Sequence, residues 1–134
     1  MTTRDKGNRT ENRTRKVYER AGYAVHRPNP SRYSGSTDIF NLFDIMAVRP
    51  DRKPRMVQVK SNRAEGITRW MDSVRCWFPR KHFVFDFVVR YDREGYRLDQ
   101  PVWSDEPGDY EKVVDERDSD ENIGIGLERF LRGH

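Results

Sequence analysis

The chain has 134 residues, enough for one domain around one core, and its 34% hydrophobic and 36% charged residues leave that core small and the surface polar. Aromatics at 12% exclude a wholly disordered chain, and no apolar run nears the ~18 residues a bilayer-crossing helix needs. A single cysteine, Cys76, excludes an internal disulfide and disfavours a thiolate zinc site. The opening residues MTTRDKGNRT lack a secretory apolar stretch, so the chain reads as soluble and cytoplasmic.

Net charge is +4, but it is unevenly spread. Residues 1–63 carry 15 Lys/Arg against 6 Asp/Glu, a net of +9, whereas residues 101–134 carry 4 against 10, a net of −6. A basic front half suggests a polyanionic partner, nucleic acid first. On charge alone, a solvated surface accounts for it equally well.

Residues 5–21 predict a helix stopped at Gly22, where a left-handed residue is wanted. Glu11, Thr14, Tyr18 and Ala21 recur at three- and four-residue spacings, which places the Glu11 carboxylate on the partly inward face, where it needs a partner. Residues 23–27 (YAVHR) predict a short strand ended by Pro28 and Pro30, followed by a Ser-, Gly- and Pro-rich loop. Residues 43–48 (FDIMAV) and 55–60 (RMVQVK) predict two strands joined through PDRKP. Centring the hairpin near Asp51 puts Ile45 and Ala47 on one apolar face with Val57 and Val59, and Asp44 opposite Gln58.

Residues 67–78 (ITRWMDSVRCWF) show helical apolar spacing up to Pro79, with Trp70 and Trp77 reading as core or dimer-interface residues. Residues 82–90 (HFVFDFVVR) are the most strand-like run and predict a central strand. Residues 95–98 predict a short strand paired through DREG. Beyond Pro101 the sequence reads as acidic and loop-like until a final short helix that docks Ile125, Leu127, Phe130 and Leu131. The order of elements indicates an α/β fold, a central mixed β-sheet flanked by α-helices.

Asp44, with Gln58 and Lys60 on the next strand, gathers chemistry at one hairpin end, because residues 58 and 60 share a face. Phosphodiester hydrolysis needs water activated and phosphate charge neutralised; a divalent cation on oxygen ligands does both, and a lysine assists as a point charge. Glu11 is the candidate that completes the set. Taken alone, Lys60 reads as a strand-end lysine and Glu11 as a helical acid paired to Arg15. Asp38 reads as a turn cap in STDIF rather than a further ligand.

These residues resemble the PD-(D/E)XK nuclease signature. Lys6-Gly7, Glu11, Gly22-Tyr23-Ala24-Val25, Arg27, Ser34-Gly35, Asp44-Ile45 and Gln58-Val59-Lys60-Ser61 resemble the archaeal Holliday junction resolvases in order and approximate spacing, over residues 5–63. The resemblance implies a restriction-endonuclease-like core, Mg2+ or Mn2+ held by Glu11 and Asp44, and Lys60 assisting water or phosphate. It also implies Ser34 near a DNA backbone, a homodimer cutting two strands, and a place in DNA recombination and repair. Gln58 departs from the usual Glu or Asp: its amide oxygen can still ligate magnesium, with one negative charge fewer.

Lys6, Arg9, Arg13, Arg27, Arg32 and Arg63 are candidate phosphate contacts, and Tyr33 either stacks on a base or packs its loop. No histidine shows ligand spacing. The expectation is one nuclease-like domain over residues 1–134, with a catalytic core at 5–100 and an acidic extension at 101–134, acting on DNA, branched DNA foremost, and not on membranes. A general or sequence-specific nuclease of the same fold, or an inactive nucleic-acid-binding module, are the alternatives.

Overall fold

The computed structural model describes residues 3–27 and 42–134, with backbone alone for residues 3–7. Helix α1 (Thr3–Arg20) ends as expected before Gly22, whose φ of 97° few other residues adopt. Strand β1 (Ala24–His26) follows, then β2 (Ile45–Val48), β3 (Arg55–Ser61), helix α2 (Ile67–Trp77), β4 (Val84–Tyr91), β5 (Gly95–Pro101), β6 (Tyr110–Asp115) and helix α3 (Ile125–Gly133). The strands form one six-stranded sheet in chain order, antiparallel except for the β3–β4 pair. A parallel pair needs a crossover, and α2 supplies it. The expected α/β architecture, a mixed sheet between helices, is the one observed.

Alternation along the strands divides the core. Ile45, Ala47, Val57, Val59, Val88 and Leu98 face α1 and α3, packing on Val17, Tyr18, Ala21, Leu127 and Leu131. Met56, Phe85, Phe87 and Val89 face α2, packing on Ile67, Trp70, Met71 and Val74. β3 and β4 are therefore covered on both faces, which is why they read as nearly continuous apolar runs. The β2–β3 register matches the sequence expectation, with Ile45 opposite Val57 and Met46 opposite Met56.

The segment expected to be loop-like past Pro101 instead contributes β6. This strand is an edge, and its polar sequence (YEKVVD) leaves it partly exposed. Charged edge strands resist unwanted pairing, and that chemistry hides them from a search for apolar alternation. Glu116, buried just after β6, accepts hydrogen bonds from the backbone N–H groups of Tyr96, Gly124 and Leu127, so it ties β5 to the start of α3. No helix among the described residues is long and apolar enough to cross a membrane.

Candidate active site

One end of the sheet collects the candidate residues. Strand β3 finishes there with Gln58, Lys60 and Ser61, β2 starts there just after Asp44, and β1 finishes there beside Arg27. The chain is irregular at Asp44: Phe43 packs on the α2 side and Ile45 on the α1 side, although residues two apart in a regular strand share a face. The Asp44 N–H donates to the Val57 carbonyl at 2.8 Å, and Asp44 Oδ2 accepts the Val59 N–H at 2.8 Å. The carboxylate thus takes a backbone donor of β3 and lies between the two strands. It is 6% exposed.

Gln58 and Lys60 share the face covered by α2. They line a cleft of about 190 Å³ with Leu42, Glu65, Arg69, Trp70 and Ser73. Trp70 holds one wall in place by donating its indole N–H to the Leu42 carbonyl at 2.6 Å. Gln58 is 8% exposed, whereas Lys60 is half-buried and makes no ion pair among the described residues. A strand-end ammonium facing a cleft, with no carboxylate paired to it among the described residues, is available to an anionic ligand.

Helix α1 approaches the same end from the opposite face. Thr10 Oγ1 and Ser61 Oγ lie 2.6 Å apart, pinning the helix to the last residue of β3. Glu11, next along the helix, forms an ion pair with Arg27 at 2.7 Å, while Arg15 pairs with Glu19 instead. The Arg27 guanidinium also donates to Asn12 Oδ1 at 2.9 Å and Asn8 Oδ1 at 2.6 Å. Three partners on one helix fix the end of β1 against α1 and orient the Glu11 carboxylate.

The oxygens at this end of the sheet are the Asp44 carboxylate and the Gln58 amide, with the Glu11 carboxylate on the α1 side. This chemistry fits a hard cation of the magnesium type, which retains several waters, better than zinc. Among the described residues no three His, Cys, Asp or Glu side chains cluster as a metal site. Any cation held here would therefore meet less negative charge than in an all-carboxylate set.

No family model matches the sequence, and no curated protein matches it. A Holliday junction resolvase from Archaeoglobus fulgidus, an archaeal hyperthermophile, is similar in structure: TM-score 0.47, 19% identity, covering 69% of this chain and 70% of that one. At that level of likeness the site's own geometry has to carry any functional reading.

The candidate DNA contacts are scattered. Arg63 is exposed just past the end of β3. Arg9 and Arg13 are exposed on α1, and Arg13 lines a separate cleft of about 190 Å³ with Lys16, Arg20, Arg90 and Tyr96. The Lys6 backbone lies in α1, and Arg32, Tyr33, Ser34 and Asp38 fall outside the described residues. Sequence reasoning missed Arg69 and Ser73, which share the cleft with Gln58 and Lys60. Their four-residue spacing on the polar face of α2 was the available signal.

Proposed function

We propose that the chain is a metal-dependent DNA endonuclease with a restriction-endonuclease-like core of the PD-(D/E)XK type, selective for four-way junctions. The observation that carries this reading is the Asp44 carboxylate set between β2 and β3, at the sheet end where Gln58 and Lys60 line a cleft. The resemblance of residues 5–63 to archaeal junction resolvases supports the junction preference and a homodimer that cuts two strands.

In this reading Asp44, Gln58 and Glu11 hold Mg2+ or Mn2+. The cation, when bound, supplies phosphate charge neutralisation and a more acidic water. Lys60 places its ammonium beside the attacked phosphate or the water. Arg27 keeps Glu11 oriented, and Asp44 is held by the Val59 N–H. Trp70 and Phe87 wall the cleft on its apolar side and limit bulk water there.

The test is incubation of purified protein with a labelled four-way junction, a flap and a blunt duplex in magnesium, manganese or chelator. The expected result is metal-dependent cutting of the junction in preference to the other two. Equal cutting of all three indicates a general nuclease, and salt-sensitive binding without cutting indicates a binding module disabled at Gln58.

A further inference from the structure

The flank of α1 turned away from Glu11 carries a row of cations. Arg9, Arg13, Lys16 and Arg20 recur at spacings of four, three and four residues, so they stand one above another, and all are exposed. Glu11 is two residues before Arg13, roughly half a turn round the helix. Arg13, Lys16 and Arg20 line a cleft of about 190 Å³ together with Arg90 of β4 and Tyr96 of β5.

No carboxylate lines this cleft, whereas the cleft of Gln58 and Lys60 includes Glu65. Arg20 and Arg90 have acids of their own, Glu128 at 2.7 Å and Asp92 at 3.3 Å. Arg9, Arg13 and Lys16 make no ion pair among the described residues. Arg90 is 12% exposed, and its Nε donates to no acceptor among the described residues, so its guanidinium lacks one partner. Burial raises the Tyr96 phenol above its ordinary value, against the Thr14 hydrogen bond and the charges of Arg90 and Arg13. Both charges therefore stand close to the floor of the cleft.

Such a wall suits an anion, and two features favour a polymeric backbone over a single phosphate or a base. From Arg9 to Arg20 the row extends ~16 Å, which at ~3.4 Å per nucleotide spans roughly five nucleotides of one strand. Tyr96, the ring at the cleft, is 1% exposed and presents no face on which a base could stack.

We infer that this flank of α1 seats the sugar–phosphate backbone of a duplex DNA arm. Arg9, Arg13 and Lys16 neutralise phosphates, and Arg90 adds charge from the floor of the cleft. The seat deepens the nuclease reading and rests on it for the choice of DNA, since a four-way junction presents duplex arms besides the one being cut.

The experiment follows binding of a fluorescein-labelled blunt duplex by anisotropy, in chelator and over a salt series, alongside junction cleavage in magnesium. Arg13→Ala with Lys16→Ala is expected to weaken duplex binding on the order of tenfold and to lower the log–log salt slope by about 1.8, the value for two phosphates. Arg13→Lys with Lys16→Arg keeps both charges and is expected to restore most of the affinity, which damage to the helix would not allow. Arg15 is already paired with Glu19, and Arg15→Ala is expected to change duplex binding by less than about twofold. Urea curves check that each variant is folded.

Wild-type duplex affinity and slope in the double alanine variant, with the junction cut by wild type, overturn the seat and leave the nuclease reading standing. A slope lowered as expected, in a protein that cuts no junction, upholds the seat and removes the nuclease reading. Wild-type protein that binds no DNA overturns both. Protection from urea by inorganic phosphate that the double alanine variant loses, with duplex binding unchanged, overturns the seat in favour of a small phosphate ligand. Self-association in sedimentation velocity that the same variant abolishes, with duplex binding unchanged, overturns it in favour of an acidic surface on a second copy of this chain.

Discussion

Strand β3 carries a cation near each end, and the two ends treat it oppositely. Arg55, 1% exposed, is fully engaged: it donates to both Asp86 oxygens at 3.0 Å, to the Tyr23 hydroxyl at 3.0 Å and to the His134 carbonyl at 2.6 Å. Tyr18 and Gln100 complete the set on Asp86, at 2.8 and 3.0 Å. Burial and the Asp86 charge push the Tyr18 phenol well above its usual range, while Asp86 and its neighbours raise Arg55 against the opposing effect of burial. Lys60, five residues on, is half-buried beside a cleft and unpaired among the described residues. A charge satisfied by its own chain is structural; one left at an opening is available for a ligand. That difference, rather than the residue type, distinguishes the end of the sheet proposed as functional.

The contrast breaks most visibly at Asp86. Asp86→Ala would strand the Arg55 guanidinium in the core and is expected to cost ~3–5 kcal/mol in urea denaturation. At the open end the effect should fall on activity. Asp44→Asn keeps an acceptor for the Val59 N–H but loses the charge, so junction cleavage should fall by ~100-fold, about 2.7 kcal/mol, with stability changed by less than ~1 kcal/mol.

Gln58→Glu sharpens the comparison from the other side. It restores an anionic donor and should tighten magnesium binding by about tenfold, roughly 1.4 kcal/mol, read from the metal concentration giving half-maximal cleavage. The smallest effect belongs to the edge. Hydrogen bonds from the Arg117 side chain hold the Asp115 carboxyl well below the usual carboxylate range. Because that value is depressed, the pair's contribution is full above the unfolded value of ~4 and is lost as pH falls towards the native one. Asp115→Asn should therefore cost under ~1 kcal/mol at pH 7 and reduce the acid-side slope of stability.

Much of the fold was legible where the sequence alternates plainly. The β2–β3 register followed from Ile45, Ala47, Val57 and Val59 needing one apolar face, and α2, β4 and α3 followed from their spacing. β6 was not legible, because its sequence YEKVVD lacks the apolar–polar alternation that would declare a strand. The Arg55–Asp86 network was hidden for another reason: its members are 31 residues apart and meet only through the parallel β3–β4 pairing. The candidate site was legible in its residues but not in its setting. Nothing in the sequence indicated that Glu11 pairs with Arg27, or that the chain kinks at Asp44 to set the carboxylate between strands. Periodicity also placed Trp77 with the apolar residues of α2, yet it is exposed.

The most direct measurement compares wild type and Lys60→Ala on a labelled four-way junction, with magnesium and with chelator, after urea curves have shown both folded. The account predicts metal-dependent cleavage by wild type and a loss of ~100-fold or more in the variant at unchanged stability. Cleavage at the wild-type rate by Lys60→Ala, or cleavage that persists in chelator, would contradict it.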